Sequence, residues 1–289
     1  MIRFDVNKVG GASIKDASSV KVLSRHVSVY MMKQPTILVV SAMDKATNLL
    51  ERLALCLSTK NINEARELWQ EIYDFHLRII AKLFPSSDYC PVYNEICKIL
   101  AFNFGEYYGM PHDFICGKVV PAGELMSSVI ISKYFKRTGL KNRLIDARDY
   151  MVTTQNHINA QVLFGETEQG MKSIFTGSLL QENPLIITQG FIGKSDIGVS
   201  STIGREGSDY TAALLAIMLG AEHLNFWKKR GVYGNPERIS REEFQKIEED
   251  STKGNRLLYS KCLDLLIEYG RNFRIINFDN PDEKTKVIY

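Results

Sequence analysis

Arg205, Ser208 and Asp209 stand in one glycine-punctuated segment, Thr202-Ile203-Gly204-Arg205-Glu206-Gly207-Ser208-Asp209, and these residue types hold anions. A guanidinium offers paired donors to a carboxylate or phosphate. Free amides in the first turn of a helix add partial positive charge beside it. Gly204 and Gly207 permit positive φ or a close approach of backbone to ligand. Ser208 or Asp209 can cap the helix that follows. A second segment of the same kind, Lys8-Val9-Gly10-Gly11-Ala12-Ser13, lies near the N-terminus. Two glycines after a strand let backbone amides converge on a phosphate, and Lys8 adds a point charge. Each segment taken alone also fits an ordinary turn with a solvated cation.

These residues need strands and helices to bring them together. The run Leu185–Gly193 is apolar, β-branched and bounded by Pro184 and Gly193, as a buried strand should be. The Ala/Leu-rich segment Tyr210–Leu219 reads as the helix after the glycine turn. Ile2–Val6 is a short strand feeding Lys8, and Thr36–Ser41 is a continuous apolar strand of the kind buried on both faces in a parallel sheet. Ser41 falls at the carboxyl end of that strand, where open α/β sheets bind ligands, and Thr47 opens the next helix. Asp16–Met32 is an amphipathic helix, and Ala46–Gly109 a long helical insertion interrupted at Pro85. Glu124 lies in the first turn of a helix from Pro121, a place that the helix dipole alone favours for a carboxylate. Leu144–Arg148 is a strand end, Met151–Gly170 a hairpin or loop, and Met171–Leu180 a helix. A strand at Glu222–Trp227, helices at Glu242–Glu249 and Arg256–Tyr269 and a last strand at Phe273–Phe278 follow. The expected fold is α/β: an open, mostly parallel sheet sandwiched by helices, with a helical insertion in the N-terminal lobe.

Composition narrows the function. The 289 residues suit one large α/β domain, with 45% hydrophobic and 24% charged residues. A net charge of +3, spread along the chain, argues against nucleic acid or membrane as partner. The odd number of cysteines, five without a C-x-x-C pair, predicts buried free thiols in a reducing compartment. With no signal-like N-terminus and no apolar run near the ~20 residues of a membrane span, the expected location is cytoplasmic. His76 and His112 lie near acidic residues without metal-ligand spacing, so both are expected on a surface or helix face and no protein metal site is expected. Gly193-Lys194-Ser195 mimics the end of a P-loop, but Thr188 stands where its first glycine is required.

The order Thr188-Gln189-Gly190-Phe191-Ile192-Gly193, then T-x-G-R-x-G-S-D-Y-T-A-A-L-L-A, resembles the aspartate kinase (aspartokinase) branch of the amino-acid kinase family. Three more blocks match in the same order. Lys8–Ser13 is similar to K-F-G-G-T-S, Val39–Leu50 to V-V-S-A-M-x-x-x-T-N-x-L, and Gly123–Ser127 to G-E-L-x-S. The resemblance implies a single kinase domain over 1–289, with an amino-acid-binding N-lobe at 1–195 and a nucleotide-binding C-lobe at 196–289. It implies phosphorylation of L-aspartate by ATP, with Mg²⁺ accompanying the nucleotide, in amino-acid (lysine) biosynthesis. Lys8 and Asp209 would carry the chemistry. Ser41, Thr47, Glu124, Phe191, Arg205 and Ser208 would bind aspartate, with Glu124 on its amino group. Gly10, Gly11, Ser13, Lys228, Tyr233 and Arg256 would bind nucleotide.

The resemblance breaks in the nucleotide lobe. Lys228-Lys229 stand where the family has Thr-Asp, Asn235 replaces the Asp before Pro236, and Arg256 replaces a phosphate-binding Lys. An ammonium only donates, so two lysines here would attract phosphate oxygens rather than hold ribose, unless both point to solvent. The family's regulatory ACT domains are expected to be missing, since few residues follow Phe278. Two alternatives stay open: a kinase of the same fold with another donor or acceptor, and a non-catalytic aspartate-binding paralogue. The chain is expected to form a homodimer or to pair with another kinase subunit.

Overall fold

The computed structural model describes residues 2–232, 234, 236–249 and 257–288. Strand β1 (Asp5–Val9) runs into a tight 3-10 turn at Gly11–Ile14. Helix α1 (Ala17–His26) opens on a capping box between Asp16 and Ser19 and continues as a wide π turn to Met31. Strand β2 (Thr36–Val40) is buried at every position. The insertion follows as α2 (Ala46–Ser58), α3 (Ile62–Leu83), α4 (Ser86–Ile99), α5 (Phe104–Tyr107) and α6 (His112–Val119). On α3 the buried Leu68, Ile72, Ile79 and Leu83 keep the three-and-four spacing that seats one helix face on a core. Helix α7 (Ala122–Arg137) is buried along most of its length. Among the described residues one stretch, His112–Arg137, is long and apolar enough to cross a membrane, and 83% of its apolar window is buried inside the fold.

The chain continues as β3 (Arg143–Ile145), β4 (Val152–Thr153), α8 (Phe164–Ile174), α9 (Gly177–Glu182), β5 (Leu185–Gln189), β6 (Ile192–Ser195) and β7 (Ser200–Thr202). It closes with α10 (Gly207–Met218), β8 (His223–Lys228), β9 (Arg238–Ser240), α11 (Arg241–Glu249), α12 (Ser260–Glu268), β10 (Phe273–Asn277) and β11 (Lys284–Ile288). Among the described residues eight strands form one sheet in the order β3-β5-β2-β1-β8-β10-β11-β9, parallel except for the β10–β11 pair. This is the expected α/β class: a mostly parallel sheet flanked by helices. Val9 is level with Val40 on β2 and Trp227 on β8, so the carboxyl ends of three neighbouring strands meet at one height.

Several expectations need correction. The run Leu185–Gly193 is two strands, not one: β5 belongs to the large sheet, while β6 joins β4 and β7 in a separate three-stranded sheet. The chain switches sheets at Gly190–Phe191, where Phe191 has φ +67°. A Cβ on Gly190 would lie 2.5 Å from Ser208 Cα, so only glycine lets α10 approach this closely. The supposed loop Met151–Gly170 contains β4, and α8 starts at Phe164 rather than Met171. Helix α12 starts at Ser260. The sheet does not end at β10, because β11 and β9 extend it. Of the surface or helix face expected for His76, the helix face holds: it lies fully buried on α3, its Nδ1 2.8 Å from the Ile72 carbonyl, and burial lowers its pKa to about 4.

Candidate active site

Lys8, Gly10, Gly11, Ser13, Ser41, Thr47, Glu124, Phe191, Arg205, Ser208, Asp209 and Lys228 all line one cleft of about 400 Å³. Tyr233 and Arg256 lie outside the described residues. The cleft sits at the carboxyl ends of β1, β2 and β8 and at the start of α10, the place where a parallel sheet leaves unbonded strand ends. Gly11 is the tightest point: a Cβ there would lie 2.4 Å from the Ala42 carbonyl oxygen, so a side chain would push the β1 turn off the β2 loop.

At the bottom, one carboxylate holds two ammonium groups. Lys8 Nζ is 2.7 Å from Asp209 Oδ1, and Lys228 Nζ donates to Asp209 Oδ2 at 2.7 Å. The three side chains are 7%, 1% and 16% exposed, so the group carries its net positive charge almost out of water. Burial pushes Asp209 up, but Lys228 and Lys8 outweigh it and hold the carboxyl below its usual range. Burial likewise opposes the Lys228 charge, and Asp209 more than compensates, leaving its pKa raised. For Lys8 burial wins, and repulsion from Lys228 adds to it, so Lys8 holds its proton the less tightly of the two. Lys228 therefore points into the cleft and not to solvent. Lys229 also lines the cleft, but its Nζ pairs with Asp279 at 2.6 Å.

Glu124 is 2% exposed; its Oε1 accepts from the Ala42 amide at 3.2 Å, and its Oε2 has no partner among the described residues. Burial raises its pKa to about 8, so at neutral pH the cleft presents a largely protonated acid that an arriving cation would ionise. Arg205 is exposed at the mouth and forms no ion pair with a described residue. Neither Ser208 nor Asp209 caps α10. The N-cap is Glu206 at φ +54°, which puts Ser208 and Asp209 inside the first turn and turns Asp209 towards the lysines.

Reasoning from sequence missed Asp44, Asn48, Glu51, Glu206 and Trp227, which also line the cleft. Asp44, Asn48 and Glu206 lie inside the blocks already singled out, and so offered a signal; Glu51, one residue past such a block, offered none. Asp44, Phe191 and Glu206 share a further property, a non-glycine backbone in the left-handed region, at φ +48°, +67° and +54°. Such strain clusters where a site over-determines its loops. A second hollow of about 700 Å³ adjoins the cleft and shares Asn48, Glu51, Phe191 and Arg205 with it.

The chain matches the amino acid kinase family over residues 4–277 and belongs to it. Within that family it is similar to aspartokinases. It is 32% identical to the lysine-sensitive aspartokinase 3 of Escherichia coli (strain K12) over 159 residues, 50% of this chain and 34% of that protein. It is 24% identical to the chloroplastic bifunctional aspartokinase/homoserine dehydrogenase 2 of Arabidopsis thaliana over 301 residues, 99% of this chain and 32% of that protein. The crystal structure of E. coli aspartokinase III in complex with aspartate and ADP superposes with a TM-score of 0.81 at 24% identity, covering 99% of this chain and 64% of that one. The chain thus spans about a third of the length of these curated relatives.

Proposed function

We propose that this chain is an aspartate kinase domain that transfers the γ-phosphoryl group of ATP to the side-chain carboxylate of L-aspartate. The observation that carries the reading is the buried Lys8–Asp209–Lys228 group in one cleft with Glu124 and Arg205. In the reaction a β-carboxylate oxygen of aspartate forms a bond to the γ-phosphorus. The bond from that phosphorus to its bridging oxygen breaks, and ADP leaves with the electron pair. No proton is gained or lost by the carboxylate, so the protein needs no general base for this step. It needs positioning and positive charge.

Each part of the cleft has a task in this reading. Lys8 and Lys228 face the transferring oxygens, and Asp209 fixes both ammonium groups so that little reorganisation remains at the transition state. The Gly10 and Gly11 amides add donors beside them. Arg205 takes the α-carboxylate of aspartate in a bidentate pair, and the ammonium of aspartate ionises Glu124. Ser41, Thr47, Phe191 and Ser208 complete the aspartate pocket, with Ser13 on the nucleotide side. The described residues include no group of three or more His, Cys, Asp or Glu side chains that could hold a metal. In this reading Mg²⁺ would arrive with the nucleotide phosphates and neutralise charge between them.

A second reading follows from one detail. Lys228 saturates the second oxygen of Asp209, and a cleft locked in this way would bind aspartate without turning over. Incubation with ATP, L-aspartate and hydroxylamine separates the two, because an acyl phosphate is trapped as its hydroxamate. Aspartyl hydroxamate is expected. Aspartate binding by calorimetry with no hydroxamate would select the non-catalytic reading, and absence of both would sink the aspartate assignment.

A further inference from the structure

Strands β1 and β8 present alternate side chains to opposite faces of the sheet. Lys8 and Lys228 enter the cleft. Their neighbours Asp5, Asn7, His223, Asn225 and Trp227 line a groove of about 780 Å³ on the other face. Among the described residues six cations surround it: Arg3, Lys33, Arg238, Arg274, Lys284 and Lys286. Three carboxylates oppose them, those of Asp5, Glu222 and Glu237. Two are engaged: Glu222 with Arg3 at 3.5 Å, and Asp5 with His223 Nδ1 at 2.9 Å. Lys33, Arg238, Arg274, Lys284 and Lys286 form no ion pair with a described residue.

A solvated sheet face would account for those cations. It does not account for the floor. Asn7 and Asn225 are 1% and 5% exposed. Asn7 Oδ1 accepts from Asn225 Nδ2 at 3.1 Å and from Trp227 Nε1 at 2.9 Å. This leaves Asn7 Nδ2 and Asn225 Oδ1 buried without a partner among the described residues. One is a donor and the other an acceptor, on adjacent strands at the same register position. Buried amide atoms are normally bonded, so this pair calls for a group that both gives and takes a hydrogen bond.

We propose that the groove binds a small phosphorylated molecule, with its phosphate on Arg274, Lys284 and Lys286 and a hydroxyl on the Asn7–Asn225 pair. Its volume lies within the roughly 300–1,000 Å³ usual for small-molecule sites. Because β1 and β8 form both the groove floor and the cleft wall, occupancy would be felt at the strands that carry Lys8 and Lys228.

The test is calorimetric titration of the whole chain with ribose 5-phosphate at constant ionic strength. The double variant Arg274→Ala, Lys286→Ala should bind at least about tenfold more weakly, whereas Arg205→Ala in the cleft should bind as the parent does. Both alanines replace half-buried surface side chains, and circular dichroism checks the fold; the pair Lys284→Ala, Arg238→Ala serves as a second variant. Three results would overturn the proposal: no binding by the parent chain, unchanged binding in both groove variants, or loss of binding in Arg205→Ala alone. None of them depends on whether the chain phosphorylates aspartate.

Discussion

The two faces of the sheet around β1 and β8 treat positive charge in opposite ways. On the cleft face two ammonium groups are nearly dry and share the carboxylate of Asp209. On the groove face Arg274 and Lys286 stand half in water with no ion-pair partner among the described residues. Burial decides the difference. A charge taken from water needs a partner, while a half-solvated one does not. Removing one partner should therefore be severe on the first face and almost silent on the second.

The largest effect is expected at Asp209. Asp209→Asn keeps the shape but leaves two buried ammonium groups facing a neutral amide. Breaking a buried charge pair from one side costs about 3–5 kcal/mol, and Lys8, which already holds its proton weakly, should lose it. Losing one preorganised cation costs about 10²–10³ in kcat. Arg274→Asn on the other face should change stability by less than about 0.5 kcal/mol. Urea denaturation of the two variants makes the comparison. Equal losses would mean that burial does not separate the faces.

Glu124 sharpens the contrast through pH. Its folded pKa is about 8 against an ordinary 4.5, so the folded protein holds this proton more tightly than the unfolded chain does. The stability so gained is full below about pH 4.5 and is lost as pH rises through 8. Glu124→Gln cannot lose a proton, so it should be more stable than the parent at pH 8.5 by up to a few kcal/mol, at about 1.4 kcal/mol per pKa unit. The gap should close towards pH 5. Thermal melts across this range test it, and a pH-independent gap would place the Glu124 carboxyl in water rather than in the core. Aspartate affinity should rise between pH 7 and 8 in the parent and stay flat in the variant, since ionised Glu124 is the form that takes an ammonium.

The cleft was more legible in the sequence than the sheet around it. Its residues come in short blocks, each tied to one strand end or helix start, and a parallel sheet brings such ends together by construction. Hence Lys8, Ser41, Glu124 and Asp209 could be placed in one cleft from their local settings and the family resemblance. Long-range pairing leaves weaker traces. The split of Leu185–Gly193 between two sheets depends on Phe191 accepting φ +67°, a conformation that an apolar residue does not advertise. Strand β11 reads Lys-Thr-Lys-Val-Ile, a proper alternation, yet its role depends on partners β9 and β10 far away in the chain. Asp74 beside His76 gives no sign of how deep the histidine lies; the helix phase that buries it is shared with Ile72 and Ile80. The direction of Lys228 was likewise open, because a lysine at a strand end can leave by either face.

The smallest effect concerns Glu206, the one acidic residue of the glycine turn. Its backbone sits at φ +54°, ψ +21°, which costs a non-glycine residue roughly 1–2 kcal/mol. Glycine would relieve that strain but add freedom to the unfolded chain, worth about 0.4–1 kcal/mol in the other direction. Glu206→Gly should therefore stabilise by about 1 kcal/mol or less. Charge is a separate matter. Burial and the nearby Asp209 push the Glu206 carboxyl up, against Lys228, Lys8 and Arg205. An acid held beside three cations lowers the cleft's attraction for phosphate. Glu206→Gln removes the charge and keeps the left-handed turn, so it isolates that contribution. Pyrophosphate should bind several-fold more tightly to both variants, while the glycine variant alone adds the gain from relieving the left-handed turn. If Glu206→Gln binds pyrophosphate as the parent does, the carboxylate does not face the cleft cations, and the turn carries its strain for some other reason.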